Sequence, residues 1–113
     1  MSITNGHSQR LHGRVAIITG GGQGIGRTTA LLFAREGANI VIADVNADEG
    51  HETVSAIEDE GGEAVFVETN VAEMEQAQAM VEAALDAFGQ IDILVNNAGI
   101  TRDATLKKMD EDA

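Results

Sequence analysis

The sequence contains no cysteine, no proline, no tryptophan and no tyrosine. Without cysteine, these residues can form neither disulfide bonds nor thiolate sites. No apolar run approaches the roughly 20 residues that a membrane-spanning helix needs. The N-terminal stretch MSITNGHSQRLHG lacks the apolar segment of a secretory signal. We therefore expect a cytoplasmic protein that makes no contact with a membrane, and a flexible tail over residues 1–12.

Basic residues are also scarce, with seven lysines and arginines against 19 acidic residues and a formal net charge of −12. No lysine or arginine occurs between Arg35 and Arg102. Such a surface repels phosphate backbones, so we expect no nucleic-acid partner. The three histidines are scattered, and the acidic run DED lies near the chain end. We read both as solvated surface and predict no metal site.

Four short runs rich in β-branched residues alternate with three helical segments, which indicates the order β-α-β-α-β-α-β. The predicted strands are VAIIT, NIVIAD, AVFVETN and IDILVNN, at residues 15–19, 39–44, 64–70 and 91–97. Right-handed crossovers then give a parallel four-stranded sheet in the order 3-2-1-4, with helices on both faces. The 113 residues suffice for one small domain. We place this half of a doubly wound α/β fold at residues 13–113.

Helical periodicity predicts the faces of the first and third helices. One face of the first helix carries Ile25, Thr29, Leu32, Phe33 and Glu36. The corresponding face of the third carries Met74, Ala77, Val81, Ala84, Leu85 and Phe88. The fourth strand begins with the nearly continuous apolar run IDILV, which is typical of a strand buried on both faces.

The stretch TGGGQGIG, residues 19–26, joins the first strand to the first helix. One interpretation is a P-loop, but Arg27 stands where that loop needs the compact ammonium of lysine. A second is a dinucleotide loop of the form Gly20-x-x-x-Gly24-x-Gly26, in which glycines permit a tight turn and close approach of a pyrophosphate. A third is a tight turn that binds nothing.

Asp44 favours the dinucleotide interpretation. It ends the second strand, 18 positions after Gly26, close to the spacing expected for an acid that binds a ribose 2′-hydroxyl. An ordinary surface aspartate at a strand end is the alternative. A carboxylate there repels the 2′-phosphate of NADP, and no lysine or arginine stands at residues 21–23 or at Val45 to offset it. We therefore expect NAD, with NADP less favoured.

These motifs, together with NV at residues 70–71 and NNAG at residues 96–99, resemble those of the short-chain dehydrogenase/reductase family. The resemblance spans residues 14–113 and implies half of a Rossmann fold. The C-terminal stretch NNAGITRDATLKKMDEDA is most similar to the 3-oxoacyl-[acyl-carrier-protein] reductases. The resemblance implies these cofactor-binding residues: Gly20, Gly21, Gly22, Gln23, Gly24, Ile25, Gly26, Asp44, Asn70, Val71, Asn97, Ala98 and Gly99.

The family's chemistry uses a serine, an asparagine and a Tyr-x-x-x-Lys pair, in which the tyrosine is the general acid. This chain has no tyrosine, and its only lysines, Lys107 and Lys108, follow the fourth strand. We predict no catalytic residue here and leave open whether the chain is an enzyme. We expect the cofactor-binding half of an NAD(P)-dependent oxidoreductase, a truncated portion that is inactive alone. Its parent reaction is carbonyl or hydroxyl hydride transfer, with 3-oxoacyl thioester reduction as the specific form.

The bare side of the fourth strand predicts a homodimer, because an uncovered strand edge favours pairing. The alternative function follows from the same feature. It is a structural half-fold that forms a homodimer without binding any cofactor.

Overall fold

The computed structural model describes residues 10–97, which form alternating strands and helices. In chain order they are β1 (Val15–Thr19), α1 (Gly24–Arg35), β2 (Asn39–Asp44), α2 (Ala47–Asp59), β3 (Ala64–Glu68), α3 (Met74–Phe88) and β4 (Ile93–Asn96). The predicted order of elements is confirmed. Strands β3 and β4 are shorter than predicted, since residues 69–70, 91–92 and 97 lie outside them.

The four strands form one parallel sheet in the order β3-β2-β1-β4, as predicted. Ile17 in β1 lies opposite Val41 in β2 and Leu94 in β4. Because all strands run the same way, their carboxyl ends meet at one edge of the sheet. In open α/β sheets, ligands bind outside that edge.

The core consists of two layers, one on each face of the sheet. Helices α1 and α2 cover one face, and α3 covers the other. The first layer is built around the buried residues Ala16, Ile18, Ala30, Ala38, Ile40, Ile42, Ile57 and Ala64. The second is built around Ile17, Val41, Ala43, Met80 and Ala84. Burying one isoleucine of this kind contributes roughly 1.5–3 kcal/mol.

The predicted helical faces are confirmed only in part. Phe33 packs against the first core layer, Ala84 belongs to the second, and Phe88 packs against the second, whereas other predicted positions are exposed. In α1 the buried positions are Gly26 and Ala30, while Ile25 is 71% exposed and Leu32 51% exposed. In α3 the buried positions are Met80 and Ala84, and Met74 at the start of the helix is 74% exposed. In α1 the small residues Gly26 and Ala30 thus lie closest to the core, whereas in α3 a large residue, Met80, is buried beside Ala84.

Strand β4 is not buried on both faces, contrary to the expectation from its apolar run. Leu94 is 59% exposed, and within residues 10–97 no strand pairs with the outer edge of β4. The strand is held at its start by Asp92. Its backbone N–H donates to the carbonyl oxygen of Val15 at 2.9 Å, and its side chain accepts the Val15 N–H at 2.8 Å.

The described chain before β1 contacts the domain. The Leu11 N–H donates to the carbonyl oxygen of Glu36 at 2.8 Å, and Leu11 packs against the first core layer. Arg10, whose N–H donates to Oε1 of Glu36 at 3.1 Å, and Leu11 therefore contact the fold, whereas residues 1–9 of the predicted tail lie outside the described residues. No helix within residues 10–97 is long and apolar enough to cross a membrane.

Candidate functional site

The glycine-rich loop leaves the carboxyl end of β1 and turns directly into α1. Gly20 and Gly24 have φ angles of +65° and +59°, in the left-handed region that side chains other than glycine rarely adopt. The Gly20 N–H donates to the carbonyl oxygen of Ala43 at 2.7 Å, which fixes the loop to β2. The turn is thus specified by two glycines and anchored in the sheet.

Gly26 sets the close approach of α1 to the loop. A Cβ at this position would overlap the carbonyl oxygen of Gly20 and lie 2.6 Å from Nδ2 of Asn97. Real Cβ atoms do not come this close to such atoms, so only glycine fits without movement of the backbone. The tight packing that the dinucleotide motif requires is therefore present.

The N-terminus of α1 is open to an anion. Its N-cap residue, Gln23, makes no capping hydrogen bond with its side chain, and the first turn has no acidic residue. In α2, by contrast, the side chain of Asn46 caps the helix, and Asp48 and Glu49 occupy the first turn. The first N–H groups of a helix carry a partial positive charge, so this end of α1 fits a pyrophosphate.

Asp44 lies directly against the glycine loop. Its Oδ2 accepts the N–H of Gly22 at 2.8 Å, and its Oδ1 accepts the N–H of Asn46 at 3.0 Å. Each carboxylate oxygen has a second lone pair that can accept a ribose hydroxyl. The spacing argument from sequence placed this side chain at the loop, and the structure brings the two together.

Residues beyond those predicted also hold the loop. Thr53, fully buried in α2, places its Oγ1 3.2 Å from the carbonyl oxygen of Gly22 and 3.3 Å from that of Glu49. The Thr69 N–H donates to the backbone oxygen of Asp44 at 3.0 Å. A threonine inside an amphipathic helix gives no sequence signal of this role, because the contact depends on how α2 packs on the loop.

The end of β4 lies beside the end of β1. The Nδ2 of Asn97 donates to the carbonyl oxygen of Gly20 at 3.2 Å, and Oγ1 of Thr19 lies 3.0 Å from Oδ1 of Asn96. Asn97 therefore contacts the predicted loop. The other two predicted residues of this segment, Ala98 and Gly99, lie outside the described residues.

Asn70 and Val71 follow β3 at the same edge of the sheet. The Oδ1 of Asn70 accepts the Ala72 N–H at 3.0 Å, and its backbone N–H donates to Oε1 of Gln76 at 2.7 Å. The side-chain oxygen of Asn70 thus closes the turn before α3. Its amide nitrogen is the atom suited to an adenine edge, whereas Val71 is half-buried beside it.

No group of three or more histidine, cysteine, aspartate or glutamate side chains within residues 10–97 could hold a metal ion. The residues that converge in this part of the chain are glycines, Asp44 and asparagines, whose donors and acceptors suit a nucleotide. The arrangement can bind an anion and hydroxyl groups.

Comparison with known proteins agrees with this geometry. The family model described as short chain dehydrogenase matches residues 14–113. The 3-oxoacyl-[acyl-carrier-protein] reductase FabG of Thermotoga maritima is 43% identical over 103 residues, which are 91% of this chain and 42% of that protein. The short chain dehydrogenase/reductase astE of Aspergillus oryzae is 48% identical over 96 residues, 84% of this chain and 37% of that protein.

The fold is also found among solved structures. A hydroxysteroid dehydrogenase from Escherichia coli superimposes with a TM-score of 0.77 at 39% identity, covering 81% of this chain and 39% of that one. The chain thus spans about two fifths of the length of these relatives, between 37% and 42%. The chain belongs to the short-chain dehydrogenase family and carries its N-terminal, Rossmann-type part.

Proposed function

We propose that these residues hold the adenosine and pyrophosphate portion of NAD within a short-chain oxidoreductase. The observation that carries the proposal is the hydrogen bond between the Asp44 carboxylate and the Gly22 N–H at 2.8 Å. It supports the proposal because a carboxylate, whose oxygens can accept ribose hydroxyls, lies against the loop that precedes α1. Gly20 to Gln23 and Ile25 line the pyrophosphate and the adenosine ribose, Asp44 holds the ribose hydroxyls, and Asn70 and Val71 flank the adenine.

Charge around the loop supports NAD over NADP. Asp44 presents a negative charge, and residues 21–23 and Val45 supply no cation. Arg27, the nearest arginine in sequence, points its guanidinium to Glu52 at 3.8 Å. A 2′-phosphate placed beside Asp44 would meet a like charge, which disfavours binding.

For the whole protein we propose hydride transfer between the nicotinamide and a substrate carbonyl or hydroxyl carbon. The specific form of this proposal is reduction of a 3-oxoacyl thioester, supported by the similarity to the reductase of Thermotoga maritima. The bound nicotinamide supplies the hydride. The 113 residues contain no tyrosine to donate the proton, so we expect them to bind cofactor without turnover. Saturable NADH oxidation by this chain with an acetoacetyl thioester would refute that expectation.

Calorimetric titration of the chain with ADP-ribose, NADH and NADPH tests the proposal. We expect ADP-ribose and NADH to bind with similar affinity, because both carry the portion that the loop holds. NADPH should bind roughly tenfold more weakly. Equal affinity for NADH and NADPH would contradict the role of Asp44, and the absence of heat with all three ligands would contradict cofactor binding.

A second copy of the chain is the partner that we propose for the uncovered side of β4. Leu94 in β4 is 59% exposed and lies opposite Ile17, which belongs to the core layer on the α3 face. In α3 itself, Leu85 is 45% exposed and Val81 39% exposed. Exposed apolar side chains at an unpaired strand edge favour association. If this dimer forms while ADP-ribose does not bind, the alternative function, a structural half-fold, replaces the first proposal.

Light scattering measures this association directly. We expect the mass of two chains at micromolar concentration. A stable species with the mass of one chain at that concentration would exclude the dimer.

A further inference from the structure

A second carboxylate, that of Glu49, lies against the glycine loop. In the amide orientation that satisfies its hydrogen bonds, the side-chain nitrogen of Gln23 donates to the two Glu49 carboxylate oxygens at 3.1 and 3.2 Å. The Cβ of Glu49 would lie only 3.0 Å from a Cβ placed on Gly22. Glu49 therefore lies against Gly22, whose N–H donates to Asp44, and against Gln23, the next residue of the loop.

The position of Glu49 is fixed by the first turn of α2. Its backbone N–H donates to Oδ1 of Asn46 at 2.9 Å, and the Asn46 N–H in turn donates to Oδ1 of Asp44 at 3.0 Å. The favourable effect of acids near a helix N-terminus accounts for an acidic residue in this turn. It does not account for the contact with Gln23. Asp48, in the same turn, lies on a groove between α1 and α2 that includes Arg27.

The contact changes what the loop can offer to a ligand. The Gln23 amide nitrogen faces both oxygens of the Glu49 carboxylate, so one of its two N–H groups is directed at that carboxylate and not at a ligand. Two carboxylates, those of Asp44 and Glu49, are then the charged side-chain groups beside Gly22 and Gln23. Acceptors bind hydroxyl groups, and two carboxylates repel a phosphate.

We infer that Glu49 is a specificity-determining residue that excludes a 2′-phosphorylated dinucleotide by adding a second negative charge near Asp44 and by holding the Gln23 amide. This inference rests on the proposed function, since it concerns the same adenosine site. It assigns the selection against the 2′-phosphate to two elements, the end of β2 and the first turn of α2. Asp44 acts directly on the ribose, and Glu49 acts in part through Gln23.

The ratio of dissociation constants for NADPH and NADH, measured by calorimetry, tests the inference. The substitution Glu49→Gln removes the charge and keeps the shape, so the ratio should fall by about 3- to 10-fold. A merely structural role would weaken both ligands together and leave the ratio unchanged. The control Glu58→Gln removes the same charge about nine residues along α2, roughly 13 Å away and beyond the screening length near 8 Å. It should leave the ratio unchanged.

A double-mutant cycle isolates the contribution of Gln23. In the presence of Glu49, an arginine introduced by Gln23→Arg would pair with that carboxylate. It becomes available to a phosphate only when Glu49→Gln is added. We expect the double substitution to lower the ratio by at least about 3-fold more than the product of the two single effects.

The outcomes separate this inference from the proposed function. If the unsubstituted chain binds neither dinucleotide, cofactor binding fails and the inference fails with it. If the chain binds NADH but Glu49→Gln leaves the ratio unchanged, or the cycle is additive, only the role of Glu49 is overturned.

Discussion

The substitution Gly26→Ala perturbs the point at which α1 lies closest to the loop. The added methyl carbon would overlap the Gly20 carbonyl oxygen and lie 2.8 Å from the Gly20 carbonyl carbon and 2.6 Å from Nδ2 of Asn97. Ordinary contacts of a carbon atom begin at about 3.3–3.6 Å to oxygen and 3.5–4.0 Å to carbon. The overlapped atoms belong to the backbone, so no side-chain rotation relieves them. Helix α1 must move outward by about 1 Å.

Two opposing effects determine how far Gly26→Ala lowers the free energy of unfolding. Alanine in place of glycine stabilises an open helix by roughly 0.5–1 kcal/mol. Overpacking at a close contact destabilises by typically about 1–3 kcal/mol. With backbone on both sides of the contact, we expect a net loss of about 1–2 kcal/mol. For a domain of this size that lowers the melting temperature by about 5–15 °C.

The assay combines thermal unfolding with ADP-ribose titration well below the melting temperature. Gly61→Ala is the control, because Gly61 has φ +90° with open space around it and lies after α2. Backbone strain in Gly61→Ala should lower the free energy of unfolding by about 1–2 kcal/mol, and the affinity for ADP-ribose should be unchanged. Gly26→Ala should lose both stability and affinity. Unchanged melting and affinity in Gly26→Ala would refute the close approach of α1 and the loop.

Three further predictions concern Asp44, Asp92 and Leu94. Asp44→Ala should raise NADPH affinity relative to NADH by roughly tenfold in calorimetry, since the like charge is removed; unchanged NADPH affinity would count against its role. The Val15 backbone N–H, and after it the Gln90 side chain, hold the pKa of Asp92 below its ordinary value of 3.8. This carboxylate therefore stabilises the fold above that pH, and its contribution is lost as pH falls through the lowered pKa. Asp92→Asn should lower the melting temperature at neutral pH, and the difference from the unsubstituted chain should disappear in acid. A difference in melting temperature that stays constant with pH would exclude this link between the Asp92 carboxylate and stability. Leu94→Lys should convert the proposed dimer to single chains in light scattering, because a buried unpaired charge opposes association. A mass still equal to two chains would place the interface elsewhere.

The strand order could be predicted from sequence because it follows from local patterns and a general rule of handedness. VAIIT predicts β1 with its observed bounds, since a β-branched run buried on both faces has no polar interruption. Gly89 ends α3 with φ +82°, the left-handed conformation that glycine favours after a helix. The right-handed crossover then leaves one arrangement of the parallel strands.

The helical faces could not be predicted in the same way. The periodic pattern assigns the most hydrophobic residues to the buried face. The packing of α1 depends instead on how near the helix backbone must come to the glycine loop. Gly26 and Ala30 are therefore buried, and Ile25 and Leu32 are exposed. Which apolar side chains of α1 stay exposed is therefore set by the tertiary arrangement.

The candidate site, like the fold, could be predicted from the sequence only in part. The glycine loop and Asp44 lie together as predicted, because both end neighbouring parallel strands. The contacts of Thr53 and Glu49 with the loop depend on the docking of α2, and no sequence spacing encodes them. The tail at residues 1–12, the cytoplasmic location and the roles of Ala98 and Gly99 stay predictions.

The central claim is that the glycine loop, Asp44 and Asn97 bind the adenosine-diphosphate portion of a dinucleotide. Backbone amide NMR spectra of the chain, recorded during titration with ADP-ribose, test it most directly. We predict saturable shifts at the amides of residues 20–26, Asp44 and Asn97, with Gly61 and Gly89, at the distant ends of α2 and α3, unaffected. An absence of shifts at the loop, or saturable shifts that spare the loop and appear elsewhere, would contradict the claim.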